Sequence, residues 1–320
     1  MERRIVVVGY DGAELLEIAS LNTSLAMANV TGEVKPPYRV LLATPGGRPI
    51  TCPTGLVMQG HESLERLTGP LDTLIVAGGF GFEAATSDAR IVAHVRRLAA
   101  VSRRVASVCT GAGILAAAGL LDGRRATTHW RYADRLARRH PSVDVDATPI
   151  YIRDGHVLTA AGVTSALDLA LALVEEDHGA EPARRIAREL VVYLQRPGNQ
   201  AQMSIFTDAP PVTDDLVRRM AAHITGHLDG DLSTATLAAL GGVSERHLTR
   251  LFREHLGATP GRYVRRVRTE AAAQLLAGGT LPLTAVAGRC GFGTTESLRQ
   301  AFVDRYGITP SRYRAASVRS

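Results

Sequence analysis

Cysteine is scarce in this sequence of 320 residues, which contains three, at positions 52, 109 and 290. An odd number of widely spaced cysteines gives neither a disulfide framework nor the paired spacing of a zinc site. The pattern therefore predicts a reduced, cytoplasmic protein with no metal and no cofactor.

Long apolar runs are also missing. No run approaches the roughly 18 residues that a membrane-spanning helix needs, so we expect no membrane partner. Near the N-terminus only four apolar residues separate Arg4 from Gly9, which is too short for the apolar region of a signal peptide. This stretch fits a first buried strand better.

Lysine is almost absent, since all but one of the 37 basic residues are arginine. Residues 1–209 carry 22 basic and 22 acidic side chains, which cancel, whereas residues 210–320 carry 15 basic and 9 acidic ones. The whole net charge of +6 therefore lies in the last third. A basic module beside a neutral one indicates a polyanionic partner for that module alone, and a solvated charged surface is the alternative.

Short apolar runs alternate with helical patterns over the first two hundred residues. The runs are RIVVVG, RVLLAT, TLIVAGG, RVASVC and TPIYIR, and the main helical patterns cover residues 15–29, 91–100, 110–121 and 164–178. Strands that are apolar on both faces are typical of a parallel sheet covered by helices. We therefore predict a doubly wound, flavodoxin-like α/β domain over residues 1–195, with ligands at the carboxyl ends of its strands.

Polar or glycine-rich stretches follow several of these predicted strands. YDGAELLE and AGGFGF follow the first and a central strand, SVCTGAG forms a sharp strand-to-helix turn, and ATTHW lies about twenty residues further on. The predicted effector pocket comprises Glu14, Glu17, Gly78, Gly79, Phe80, Cys109, Thr110, His129 and Trp130.

Cys109 has two interpretations. In the first, the dipole of the helix that begins beside the cysteine favours the thiolate form, which makes the thiol reactive. In the second, the cysteine is buried and packs as a small apolar residue. An ionised Glu17 would raise the pKa of the thiol, and a protonated Glu17 would donate to a thiolate. Trp130 likewise either stacks on a cationic ligand or packs in the core.

Three stretches, YDGAELLEIASLN, SVCTGAGILAAAGLLDGRRATTHW and LTAAGVTSALDLALALVEE, resemble the ThiJ/PfpI branch of the class I glutamine amidotransferase-like superfamily over about residues 4–190. The resemblance implies an elbow cysteine, Cys109, near a loop glutamate, Glu17, with His129 at the place of a histidine found in some members. Thr110 stands where a protease of this branch has histidine, and AAGVTSALD lacks the His-x-Glu of amidotransferases. We therefore expect no catalytic residues, and a cysteine-dependent hydrolase or lyase tethered to DNA is the alternative.

The last hundred residues contain an internal repeat. LTRLFREHLGATPGRY begins at Leu248 and LRQAFVDRYGITPSRY at Leu298, and seven residues recur at a constant offset of fifty. Such a repeat indicates two copies of one supersecondary unit, joined by the helical stretch PGRYVRRVRTEAAAQLLAGG.

Each copy has the pattern of a helix-turn-helix unit, whose second helix can enter the major groove of DNA. Ser244 and Thr294 are placed to cap these second helices, with Leu248 and Phe252 facing the core. An ordinary helical hairpin is the alternative. The predicted DNA-binding residues are Ser244, Arg246, Thr249, Arg250, Arg253, Thr294, Thr295, Glu296, Arg299 and Gln300.

GVSERHLTRLFREHLGATPGRYVRRVR and AGRCGFGTTESLRQAFVDRYGITPSRYR resemble the two halves of the AraC-type DNA-binding domain, which places an all-α domain at residues 215–320. That family often has a basic residue where Gln300 stands, and Arg299 beside it can take the role. Residues 196–214 are predicted as a linker, with prolines at 197, 210 and 211.

This layout is that of GlxA-type transcriptional regulators. The resemblance implies a bacterial regulator that binds double-stranded operator DNA, with RNA polymerase as a partner if it is an activator. It also implies a small-molecule effector, often a nitrogen-containing metabolite, and we expect a homodimer.

Overall fold

The computed structural model describes residues 2–31, 34–192, 195, 196, 198, 200–203, 214–277 and 281–319. The chain divides into two compact units, residues 1–202 and residues 203–319. Of the predicted linker, residues 197, 199 and 204–213 lie outside the described residues, and its three prolines are among them. Within the described ranges, no helix is long and apolar enough to cross a membrane.

The first unit is built on a seven-stranded sheet. Its strands, with four short ones outside the sheet, are β1 Arg3–Val8, β2 Tyr38–Thr44, β3 Ile50–Thr51, β4 Val57–Met58, β5 Glu62–Ser63, β6 Leu71–Val76, β7 Ser102–Val108, β8 Arg125–Ala126, β9 Asp144–Val145, β10 Tyr151–Asp154 and β11 Val157–Ala160. The strand order in the sheet is β10-β11-β7-β6-β1-β2-β5. Strand β1 reads Ile-Val-Val-Val over buried positions because helices cover both faces of the sheet.

One edge of the sheet departs from the predicted parallel arrangement. The TPIYIR run supplies β10, which pairs antiparallel with β11, whereas the other neighbouring strands of the sheet are parallel. Gly155, with φ of 62°, follows β10 at once and turns the chain back in a tight hairpin.

Helices pack on the sheet in two groups. They are α1 Leu15–Val30, α2 Phe82–Ser87, α3 Ala89–Ala99, α4 Gly111–Ala117, α5 Trp130–Arg139, α6 Ser165–His178 and α7 Ala180–Glu189. Helices α1, α6 and α7 contact one another, as do α2, α3 and α4. Helix α4 ends four residues before the predicted limit, because Gly119 takes a φ of 72° and the chain leaves the helix there.

A buried ion-pair network lies where β1, β6 and β7 begin. Arg104, 1% exposed, places Nη2 2.6 Å from Oδ2 of Asp177 at the end of α6, and its Nε donates to Thr73. Arg3 and Arg103 add pairs to neighbouring carboxylates. Charges buried at this depth persist only when paired, so the network fixes α6 against the sheet.

The second unit contains seven described helices around two apolar cores. They are α8 Asp215–Gly226, α9 Thr234–Gly241, α10 Glu245–Leu256, α11 Pro260–Ala277, α12 Leu283–Arg289, α13 Thr295–Tyr306 and α14 Pro310–Arg319. The repeat is structural as well as sequential, because Phe252 meets Tyr263 edge-on at 5.7 Å and Phe302 meets Tyr313 edge-on at 5.2 Å. The long helix α11 joins the two halves, as the sequence predicts.

Asp177→Ala should lower the free energy of unfolding of the α/β unit by about 3–5 kcal/mol, because it removes the carboxylate nearest to the buried Arg104 guanidinium and leaves only the longer pairs with Asp72 and Glu176. Urea denaturation followed by the emission of Trp130, which lies in this unit, measures the change. Glu181→Gln breaks an exposed pair with Arg184 and should cost less than about 1 kcal/mol. Equal losses in the two variants would contradict the importance of the buried network.

Candidate functional site

Cys109 occupies a strained turn between β7 and α4. Its φ of 52° is in the left-handed region, which residues other than glycine rarely adopt. The turn is held because the Cys109 N–H donates to the Ala160 carbonyl at 2.9 Å, and Thr128 Oγ1 donates to the Cys109 carbonyl at 2.7 Å. An added Cβ at Gly78 would lie 2.7 Å from the Cys109 Cβ, so the neighbouring loop must be glycine there.

The Glu17 carboxyl group lies against this turn, fully buried. Its Oε2 accepts from the Gly78 N–H at 2.7 Å, and burial raises the pKa of Glu17 to about 7. In the described part of the chain, Oε1 has no hydrogen-bond donor other than the adjoining Cys109 thiol, which is a weak one. One oxygen of the buried carboxyl group is therefore left without a strong donor, which is uncommon for a buried polar atom.

The same surroundings raise the pKa of the Cys109 thiol well above its ordinary value, first by burial and then by the charge of Glu17. Of the two interpretations of Cys109, this direction of the pKa favours the buried, protonated thiol over a thiolate stabilised by the helix dipole. Loss of hydration and a nearby carboxylate outweigh the dipole of a helix that is only seven residues long. The thiol is therefore protonated at neutral pH.

A pocket of about 340 Å³ opens beside the turn. Eight of the nine residues predicted for it line its wall, namely Glu14, Glu17, Gly79, Phe80, Cys109, Thr110, His129 and Trp130. Gly78 stands behind the wall and acts through its hydrogen bond to Glu17. The sequence analysis missed Arg131, Tyr132 and Val163, although the first two directly follow the predicted ATTHW stretch.

Two loops form the floor of the pocket, and backbone hydrogen bonds join them. The Glu14 N–H donates to the Gly78 carbonyl at 2.9 Å, and Thr110 exchanges hydrogen bonds with the backbone of Gly79. The Thr110 side chain is thus occupied in holding the loop. Because these contacts are made within the protein, the floor is formed before any ligand arrives.

His129 caps helix α5, and its Nδ1 accepts from the Arg131 N–H at 3.3 Å. The pKa of His129 is lowered by burial and by Arg131, so the ring is neutral at pH 7 and carries its proton on Nε2. Within the described residues no hydrogen bond joins His129 to Cys109. The two side chains share a pocket without forming a nucleophile–base pair.

Aromatic rings form the outer wall. Trp130 is 45% exposed and Phe80 is 72% exposed, so core packing is the wrong interpretation of Trp130. The Trp130 ring stacks on His129 at 5.6 Å and has the Arg131 guanidinium 5.4 Å from its centroid. A ring that already holds one cation is suited to cationic contacts.

The first predicted recognition helix, α10, begins at the Ser244 cap, whose Oγ accepts from the His247 N–H at 3.2 Å. Leu248 and Phe252 are fully buried, as predicted from their spacing. The opposite face carries the predicted set Arg246, Thr249, Arg250 and Arg253, which line a shallow concave surface with Ser244, Glu245 and His247. In the described part of the chain, Arg246 and Arg253 have no ion-pair partner.

The second predicted recognition helix, α13, presents its predicted residues on the surface too, but in paired form. Thr294 caps it, with Thr295 exposed next to it. Arg299 makes a two-pronged contact with Glu296 at 2.8 and 2.7 Å, and Gln300 donates to Asp304 at 2.8 Å. On α10 Arg250 also pairs, with Glu254 at 2.9 Å, so the two helices differ in Arg246 and Arg253, which have no ion-pair partner among the described residues.

Comparison with known families matches residues 3–176 to the DJ-1/PfpI family and residues 237–316 to a helix-turn-helix domain. The chain is 31% identical over 278 residues to the HTH-type transcriptional regulator CdhR of Pseudomonas aeruginosa, covering 87% of this chain and 82% of that one. It is 30% identical over 308 residues to the HTH-type transcriptional regulator GlxA of Rhizobium meliloti, covering 95% and 93%. The isonitrile hydratase of Pseudomonas putida is 34% identical over 198 residues, 58% of this chain and 82% of its own.

Solved structures agree on the fold of the first unit. A ThiJ/PfpI family protein from Pseudomonas syringae matches with a TM-score of 0.56 and 26% identity, covering 76% of this chain and 91% of that one. Drosophila melanogaster DJ-1beta shares the fold with a TM-score of 0.53 at 22% identity, covering 60% and 99%. The chain therefore belongs to the DJ-1/PfpI family, among the transcriptional regulators in which such a domain precedes an AraC-type helix-turn-helix domain.

Proposed function

We propose that the Cys109 pocket of this DNA-binding transcriptional regulator binds a small cationic, nitrogen-containing effector, and that its occupancy adjusts operator binding. The observation that carries the proposal is the carboxyl group of Glu17: the residue lines the pocket, and its Oε1 has no strong donor among the described residues. An ammonium or guanidinium N–H would satisfy that oxygen by a charge-assisted hydrogen bond.

Most of the other lining residues have matching chemistry, and Arg131, whose guanidinium lies against Trp130, is the cationic side chain among them. Glu14 adds a second carboxylate at the rim, and the rings of Phe80, Trp130 and Tyr132 supply π faces. Carboxylates and aromatic rings around one volume are the usual surroundings of a bound organic cation. The volume of about 340 Å³ suits a small metabolite.

A second candidate function is catalysis at Cys109, which the similarity to an isonitrile hydratase favours. A nucleophilic cysteine needs a thiolate or an adjacent base. Here burial and Glu17 raise the pKa of the thiol, and the histidine of the pocket does not hydrogen-bond to it. We therefore propose that Cys109 shapes the pocket and carries no obligatory reaction.

For DNA, we propose that α10 and α13 enter successive major grooves, with Arg246 and Arg250 reading guanines. Arg246 and Arg253 of α10, which have no ion-pair partner in the described part of the chain, support a larger role in DNA binding for the first helix-turn-helix. We also propose that the regulator acts as a homodimer on repeated half-sites and contacts RNA polymerase if it activates transcription.

The affinity for a cationic effector should increase as the pH rises through about 7, because Glu17 loses its proton there and the carboxylate then pairs with the cation. Calorimetric titration with primary ammonium, guanidinium and quaternary ammonium compounds between about pH 6 and pH 8 measures this. Glu17→Gln should remove the pH dependence, and the exposed control Glu62→Gln should keep it. A pH-independent affinity in the native protein would exclude Glu17 as the cation partner.

Cys109→Ser preserves size and polarity, so effector-dependent regulation in a reporter assay should survive the change. An enzyme that used this thiol as nucleophile would lose about 10²-fold or more in turnover. In the native protein, alkylation of Cys109 by iodoacetamide should accelerate about tenfold per pH unit between pH 7 and 9, because its pKa lies above that range. Turnover of amide, ester or isonitrile substrates that disappears in Cys109→Ser would establish the catalytic function instead.

Arg246→Ala should weaken binding to a duplex selected from a random library by about 1–3 kcal/mol and blur one half-site, because a base contact is lost. Arg265→Ala is the matched control, since Arg265 lies on the joining helix and pairs with Asp304 at 2.7 Å. It should change sequence preference less. Fluorescence anisotropy on selected and unrelated duplexes separates the two effects, and equal changes in preference would refute the assigned helix face.

A further inference from the structure

Gln202 is the last residue of the first unit, and its side-chain amide is fully engaged there. Its Nε2 donates to the Thr128 carbonyl at 2.9 Å, to Thr127 Oγ1 at 3.1 Å and to the Pro149 carbonyl at 3.3 Å. Its Oε1 accepts from the Trp130 N–H at 3.0 Å. A side chain from the predicted linker thus holds the first turn of α5.

The backbone around Gln202 is anchored as well. The Ile150 N–H donates to the Gln200 carbonyl at 2.8 Å, and Arg196 pairs with the buried carboxylate of Asp168 at 2.6 Å. These contacts fix the start of the linker to the α/β unit through residues that are not themselves part of the pocket lining. Gln202 differs from them because one of its hydrogen-bond partners, Trp130, lines the pocket.

Residues 127–130 touch both Gln202 and the pocket. Thr128 donates through Oγ1 to the carbonyl of Cys109 at 2.7 Å, while its own carbonyl accepts from Gln202. His129 and Trp130 line the pocket itself. A continuous chain of hydrogen bonds therefore runs from the strained turn at Cys109 to the end of the first unit.

We propose that Gln202 is the positioning residue that transmits pocket occupancy to the DNA-binding unit, an inference that rests on the proposed effector function. The polar groups it satisfies belong to Thr127 and Thr128, which are buried, so separating them from Gln202 is costly. A ligand that shifts the backbone of residues 127–130 therefore shifts Gln202 with it. Residues 203–214 connect Gln202 covalently to the first helix of the second unit.

Coupling between two sites is reciprocal, so DNA binding must alter the surroundings of Trp130. Trp130 is the single tryptophan of the chain, and its emission reports on the pocket wall without interference from another tryptophan. The full-length protein is titrated with the duplex selected for the Arg246 experiment and with an unrelated duplex. Emission wavelength and quenching by acrylamide are recorded at each point.

The native protein should show a DNA-induced shift in Trp130 emission and quenching, and Gln202→Ala should lose that shift while keeping its affinity for the duplex. Gln195→Ala is the matched control, because this glutamine, which directly precedes the predicted linker, donates to Glu175 and has no hydrogen bond to the pocket wall in the described residues. It should retain the shift.

Gln202→Glu keeps an acceptor for the Trp130 N–H but loses the amide donors, so it should also lose the shift. Thermal unfolding of each variant verifies that it is folded. A shift of native size in both Gln202 variants would overturn the proposal, as would a native protein that binds the duplex without any shift. A native protein that bound no selected duplex would refute the DNA-binding function itself, and the coupling with it.

Discussion

The left-handed backbone of Cys109 is the constraint on which the site depends. A residue with a Cβ keeps a φ of 52° only when the surrounding structure prevents relaxation, and here Ala160 and Thr128 hold its N–H and carbonyl. The turn also dictates its neighbours, since no side chain fits at Gly78 or at Gly111, where an added Cβ would lie 2.3 Å from the Val76 carbonyl. The strained turn, the glycine loops beside it and the pocket they line therefore depend on one another.

Burial decides what that construction can do. The same turn in a hydrated site with a hydrogen-bonded histidine would present a nucleophile. In this protein Glu17 is dehydrated, its pKa rises to about 7, and the thiol beside it is kept protonated. The result is a carboxyl group of adjustable charge in the wall of the pocket, which supports the proposal that this site recognises a ligand rather than carrying out covalent catalysis.

The sequence predicted those residues of the site that the parallel strands bring together at their carboxyl ends. Glu17, Phe80 and Cys109 follow separate strands, and parallel strands bring their carboxyl ends together. Two features escaped prediction because they depend on packing: the antiparallel β10 and the anchoring role of Gln202. The direction of the thiol pKa was left open by the sequence, because burial is its largest cause. Proline and glycine in residues 196–214 indicated a linker. Composition alone does not show that the side chain of Gln202, which lies in it, makes four hydrogen bonds.

The two recognition helices show why repetition in sequence does not imply equal function. Both are capped alike and pack their phenylalanines alike, so the repeat preserves the scaffold. On the outer face α10 leaves Arg246 and Arg253 for DNA, whereas in α13 Arg299 is already held by Glu296. To contact guanine, Arg299 must leave that carboxylate or read a base pair together with it, as guanine and cytosine on opposite strands would allow. We therefore propose that α10, besides the base contacts assigned to Arg246 and Arg250, supplies most of the attraction to phosphate, while α13 reads its half-site through the Arg299–Glu296 pair.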